Sequence, residues 1–149
     1  MARTTVRVEG LVELDNALSE LPKATARNVL RRALLKAGEP IRAAAEVNAP
    51  ERTGTLKTRI AIGTKLTRRQ KKMHKRESAV EVFVGPSGVL SYAVPQEFGT
   101  AHHGPHAYMR PAWDENKTEA LEIIKKDLGA EIEKARARLA RKAARQMKG

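Results

Sequence analysis

Apolar residues recur along this chain at two spacings, and the change from one to the other outlines its elements. Between Thr4 and Val8, β-branched and polar residues alternate as in a short strand, and Gly10 breaks the pattern. Leu11, Leu14, Leu18 and Leu21 then return every three or four residues, which predicts a short amphipathic helix stopped near Pro22. A longer helix is expected from about Lys23, with Leu30, Leu34, Ala37 and Ile41 on one face and Ala33, Ala44 and Ala45 beside them. Arg27, Arg31, Arg32 and Lys36 fall mainly on its other sides. Gly38 and Pro40 predict a kink, because proline deletes a ladder hydrogen bond and clashes with the preceding turn. The helix should end before Ala49-Pro50, and its many alanines would let another element approach closely.

The middle of the chain reads as strands. After a turn at Thr53-Gly54, Leu56 to Thr64 presents Leu56, Ile60 and Ile62 as an apolar side, and Ala79 to Val84 follows as a second strand ended by Gly85-Pro86. Ile60–Thr64 and Ala79–Val84 are expected to pair antiparallel across the polar stretch Lys65–Glu77, as a long basic β-hairpin. Ser87-Gly88 reads as a turn and Tyr92–Val94 as a short strand or extended edge. The last pattern is the clearest: Trp113, Leu121, Ile124, Leu128, Ile132, Ala135 and Leu139 hold a helical stripe over about seven turns. Asp114, Glu115, Glu119 and Glu122 come early and the bases late, an order that suits the helix dipole. Gly129 weakens its middle by about 1 kcal/mol relative to alanine, and from Arg141 on there is little apolar surface to hold the end.

The expected order is therefore β-α-α-β-β-(β)-α, an α+β fold. A small antiparallel sheet is packed by a kinked long helix and a long C-terminal helix. With 149 residues the expectation is one domain, 1–149, carrying a basic hairpin insertion at 65–77 and a basic C-terminal extension at 134–149.

Charge adds a question about partners. The formal net charge is +12, from 29 basic against 17 acidic residues, and the excess collects in Lys65–Arg76 and Lys134–Lys148. Arg68, Arg69, Lys71, Lys72, Lys75 and Arg76 are candidates for contact with nucleic acid or an acidic partner; the competing reading is a solvated segment. Neither cluster holds an aromatic residue, so any nucleic-acid contact would be to phosphate rather than by base stacking. The lack of cysteine excludes disulfides and thiolate metal sites and fits synthesis in a reducing cytoplasm. No apolar run approaches a membrane span, and no secretory signal is evident, so neither membrane insertion nor export is expected.

Candidate chemistry is sparse. His102, His103 and His106 crowd a Gly/Pro loop, but ligand directions are poorly fixed there, and structural zinc sites usually take four protein ligands. Glu97 is the nearest acid and could pair with a histidine for acid–base work. No nucleophile elbow, phosphate loop or H-E-x-x-H pattern accompanies them, so no enzyme, cofactor or metal is expected. The scarce bulky residues concentrate nearby instead. Tyr92, Glu97, Phe98, Gly99, Thr100, Tyr108, Met109, Arg110 and Pro111 form a stiff loop segment suited to a subunit interface, with Phe98 and Trp113 as expected anchors and Tyr108 and Met109 on display.

These pieces, in order, carry a resemblance. They are Gly10-Leu11 with Leu14 and Leu18; Ala33-Leu34 and Ala37; Ala49-Pro50 with Thr53-Gly54-Thr55-Leu56; Val82-Phe83-Val84-Gly85; Tyr92-Ala93; Glu97-Phe98-Gly99-Thr100; and Pro105 through Ala112. From about Gly10 to Trp113 the chain resembles a family of small tailed-phage and prophage proteins. These are tail-component or head–tail joining (neck) proteins, typified by one from a lambda-like coliphage. The resemblance implies a virion structural protein, made in the host bacterial cytoplasm, whose copies form a ring that completes the tail and joins it to the head. It implies no catalytic residue. A hexamer would match the symmetry usual in such tails, and the neighbours would be a terminator, a stopper or the tail tube, with passing DNA a further candidate partner. The 65–77 insertion and the 134–149 extension lie outside the resemblance. Charge alone supports an alternative, a basic DNA-binding module contacting phosphates.

Overall fold

The structure, a computed structural model, describes residues 10–51, 54–88 and 90–149. The strand expected at Thr4–Val8, and Thr53 of the expected turn, lie outside the described residues. The elements are α1 (Leu11–Ser19), α2 (Lys23–Ala37), α3 (Glu39–Asn48), α4 (Thr55–Arg59), β1 (Ile60–Gly63), α5 (Arg68–Met73), β2 (Phe83–Pro86), α6 (Ala93–Phe98) and α7 (Met109–Met147).

The kinked helix forms as its sequence predicts. Gly38 separates α2 from α3, and Val29, Ala33, Ala37, Ile41 and Ala45 run as one buried row across the break. That row is centred one residue earlier than the leucine pattern suggested: Leu30 and Leu34 are only half-buried. Glycine at the break lets the sheet come close: a Cβ there would lie 3.2 Å from Val84 Cγ2 and 3.4 Å from Ile62 Cδ1, so these side chains would have to give by a few tenths of an ångström. The two-stranded sheet thus packs directly against the helix backbone.

Against the alanine row lies α7, 39 residues and about 58 Å long. Its own small residues, Ala112, Ala120 and Ala135, are buried with Leu128 and Ile132. Close approach of alanine faces explains how so few bulky side chains suffice. Ion pairs Arg32–Glu131 (2.9 Å) and Lys36–Asp127 (3.0 Å) sit one turn apart on both helices and run in opposite senses, fixing α2 and α7 antiparallel and in register. Arg136 reaches Glu20, after α1, at 2.8 Å. Each such exposed pair adds at most about 1 kcal/mol, so their role is register more than stability. The core divides into two clusters along α7. One gathers α3, α4, β1, α6 and the first half of α7; the other gathers α1, α2 and the second half, and Ile124 packs against both.

The middle of the chain departs from expectation. Leu56–Thr64 is not one strand: Thr55–Arg59 is a helical turn and only Ile60–Gly63 is extended. Leu56 and Ile60 are four apart, a spacing that fits a helical turn as well as alternation, and Leu56 is buried from the helix. The second strand begins later and runs through the expected stop, with Ile60↔Pro86, Ala61↔Gly85, Ile62↔Val84 and Gly63↔Phe83 paired antiparallel. Residues 76–81 are occupied by local side-chain bonds instead. The Arg76 guanidinium donates to the carbonyls of Ser78 and Ala79, the Ser78 hydroxyl donates to the carbonyl of Val80, and the Glu81 carboxylate accepts from the Glu77 N–H.

The two strands do pair antiparallel across the basic stretch, but the connection between them is not a plain hairpin loop. A Thr67/Gln70 capping box starts the helix α5 within it. Tyr92–Val94 is not an edge strand either: α6 begins there, and Pro95 is tolerated because it falls in the first turn, where its missing N–H leaves no bond unmade. Helices thus dominate an α+β arrangement whose described sheet has two strands.

Because Ile132 is buried where α7 meets α1 and α2, Ile132→Ala is expected to cost about 2–5 kcal/mol in urea unfolding. Val47→Ala, at an exposed position on α3, should stay within about 0.5 kcal/mol of the parent.

Candidate assembly surface

The first turn of any α-helix leaves backbone N–H groups without a partner inside the helix. At α7 no residue of the preceding loop supplies a side-chain cap. Glu97, from the end of α6, does so. Its Oε2 accepts from the N–H of Tyr108 (2.8 Å) and Met109 (2.9 Å), and its Oε1 from the N–H (3.0 Å) and Nε (3.1 Å) of Arg110. The same guanidinium donates to the Glu97 carbonyl at 2.9 Å. Glu97 is 4% exposed. Burial pushes its carboxyl up, but the N–H groups of Met109, Tyr108 and Arg110 and the Arg110 side chain outweigh this and hold it below the usual carboxylate range. Glu97, the acid nearest the histidines in sequence and one of the interface candidates, is therefore an ionised cap whose lone pairs are spent within the chain.

Between Glu97 and Tyr108 the chain makes a tight loop. Gly99 has φ 79°, and a Cβ there would fall 2.9 Å from the Pro105 nitrogen, so the turn demands glycine. Thr100 bonds across the loop: its N–H donates to the His103 carbonyl at 2.9 Å, and its Oγ1 accepts from the N–H of His102 and His103. The His106 N–H donates to the Gln96 carbonyl at 2.8 Å. All three histidines are exposed. Among the described residues no group of three or more His, Asp or Glu is placed to hold a metal ion.

The expected anchors and displayed residues exchange roles. Tyr108 is 2% exposed, its hydroxyl donates to the Ala93 carbonyl at 3.1 Å, and burial followed by the Glu97 charge pushes its pKa up to about 12. Phe98 is 61% exposed and Trp113 54% exposed. The Arg110 guanidinium lies 5.1 Å from the centre of the Phe98 ring, so the ridge combines an aromatic face with a cation. Val94, four residues before Phe98 on α6, is 66% exposed and extends that ridge. It was missed because Tyr92–Val94 read as a strand; on a helix the spacing would have placed the two side chains together. Tyr92 is exposed, while Met109 and Pro111 are half-buried beside α7's first turn.

Trp113 also borders a second apolar feature. A groove of about 620 Å³ runs between the α2–α3 break, the segment leading into β2, and α7, lined by Leu34, Ile41, Val80, Val82, Val84 and Leu121 among others. Its rim carries Glu81, held ionised by bonds from the Glu77 backbone and from His74. The exposed side chains of Arg68, Arg69, Lys71, Lys72 and Lys75 lie on and after α5, and Arg76 is engaged by backbone carbonyls.

Replacing Glu97 by glutamine turns an amide NH₂ toward groups that are themselves donors, so Glu97→Gln is expected to cost about 1–3 kcal/mol at neutral pH. The folded carboxyl titrates below its unfolded value, so its contribution is present at neutral pH and is lost as pH falls through the depressed value. Chemical denaturation between pH 7 and pH ~3 should therefore show the gap between parent and variant narrowing below about pH 4.3, the ordinary glutamate value.

Comparison with known proteins gives a family for this frame. The HK97-gp10-like family, described as "Bacteriophage HK97-gp10, putative tail-component", matches residues 13–99, more than half of the chain. The match runs from within α1 to the end of α6 and includes Glu97, Phe98 and Gly99. Searches of curated proteins and of solved structures found no significant match. The chain belongs to the HK97-gp10-like family of bacteriophage tail-component proteins.

Proposed function

We propose that this protein is a non-catalytic virion subunit whose copies assemble into a ring, a hexamer in the simplest reading, that completes the phage tail and joins it to the head. The neighbours in that reading are a terminator or stopper on one side and the tail tube on the other. Family membership supports the tail assignment. The observation that carries the assembly reading is the exposure of Phe98, Val94 and Trp113 on a frame pinned by the Glu97 cap. Large apolar side chains held out by a stiff backbone lose little entropy on docking, which is what a recurring contact needs.

A closed ring needs two unlike patches that meet head to tail. The ridge of Val94, Phe98 and Arg110 is exposed and largely apolar, with Arg110 beside the Phe98 ring; the groove bordered by Trp113 is apolar and includes Glu81 in its lining. In this reading the two serve as the unlike patches of such a ring.

Phe98→Asp should leave the isolated chain folded, with a loss of at most about 1 kcal/mol, because only the exposed Arg110–ring contact is removed. The same variant should fail to restore infectivity to phage lacking this protein, and electron microscopy should show unjoined heads and tails. Joined, infectious particles formed in the complete absence of the protein would sink the reading.

A further inference from the structure

The cations of this chain fall into two populations. Arg32, Lys36, Arg42, Lys57, Arg110, Lys117, Lys125, Lys134 and Arg136 each pair with a carboxylate. Lys23, Arg27, Lys126 and the α5 cations have no ion pair among the described residues, and beyond Arg136 no cation has one. Arg138, Arg141, Lys142, Arg145 and Lys148 have no ion pair among the described residues, and no acidic side chain follows Glu133 in the sequence. Every residue from Ala140 to Gly149 is exposed, although the helix continues to Met147.

Helix geometry gathers these charges. At 3.6 residues per turn, Lys134, Arg138, Arg141, Lys142, Arg145 and Lys148 fall within about 120° of arc, and Arg136, which pairs with Glu20, points to the opposite side. The buried row of Leu128, Ile132 and Ala135 occupies a neighbouring sector, so packing on α1 and α2 leaves the charged stripe uncovered. The five unpaired cations span about 15 Å of axis. On the six-residue α5, Arg68, Arg69, Lys71 and Lys72 cover a wider arc of about 160° and little more than one turn of axis, and Arg76 after it is spent on carbonyls.

We propose that the C-terminal third of α7 is a binding surface for the phosphate backbone of nucleic acid, with Arg138, Arg141, Lys142 and Arg145 as the contacting side chains. A row of fixed like charges gains most from a ligand that is itself a row of opposite charges, and duplex DNA carries one phosphate charge per about 1.7 Å of axis. The arginines add bidentate donors matched to phosphate oxygens. No aromatic residue follows Trp113, so the surface has no stacking platform. This inference rests on the charge distribution alone and stands whether or not the chain forms a ring.

The test is fluorescence anisotropy of the full chain with a labelled random-sequence duplex of about 30 base pairs across a salt series. Binding is expected at low salt, with a log–log salt slope near −4 and therefore a loss of about two orders of magnitude between 50 and 200 mM. The variant Arg138→Gln, Arg141→Gln, Lys142→Gln, Arg145→Gln keeps helix propensity. It should flatten the slope by about 3–4 and weaken low-salt binding at least about tenfold. Arg68→Gln, Arg69→Gln, Lys71→Gln, Lys72→Gln on α5 should change both far less. No DNA binding by the parent chain at low salt overturns the inference, as does equal loss in the two variants. Retention on polyglutamate without retention on DNA also overturns it, and would assign the stripe to an acidic protein surface.

Discussion

One buried carboxylate organises the part of this molecule that faces outward. Glu97 accepts from the N–H of Tyr108, the residue before a 39-residue helix, from the N–H groups of that helix's first two residues, and from the Arg110 side chain. It closes an eleven-residue excursion of chain from α6 back to α7. The charge sits where the helix dipole is positive, so capping and electrostatics favour the same geometry. Tyr108 is held inward by that contact and Phe98 is turned outward, with Arg110 over its ring. If the carboxylate were lost, the loop bearing the histidines and the start of α7 would lose their common anchor.

Much of this frame was legible in the residues. The α1 leucines, the break at Gly38 and the stripe on α7 follow from local spacing, which a single chain segment can express by itself. The misreadings cluster where two local rules agree on different answers. Leu56 and Ile60 satisfy helix and strand alike, and the decision came from the core that received Leu56. Tyr92–Val94 read as a short strand or extended edge, yet the proline that follows is also tolerated in the first turn of a helix. In both cases the deciding energy comes from residues distant in sequence.

The site was legible in a different sense. Its residues stood out by composition, while their directions did not. Phe98 and Trp113 are the bulkiest side chains of their segment, and bulk normally goes inward. Here the cluster between α3 and α7 is built largely of alanines around Tyr108, and Phe98 and Trp113 lie outside it. Glu97 was noticed for its nearness to histidines. Its true partners are backbone N–H groups eleven to thirteen residues on, and nothing in a string of side-chain letters marks a backbone donor as unpaired.

The overhang of α7 has a thermodynamic consequence. An isolated helix of ten residues is marginal in water because its nucleus is costly to form. The residues beyond Leu139 do not need a nucleus, since they extend a helix already secured against α1 and α2. Each further turn requires only propagation. The chain therefore carries a helical projection of about 12 Å whose direction is inherited from its core, though no core of the described residues covers it. What it holds out keeps a fixed bearing relative to the body, as a bracket does and a tethered tail does not.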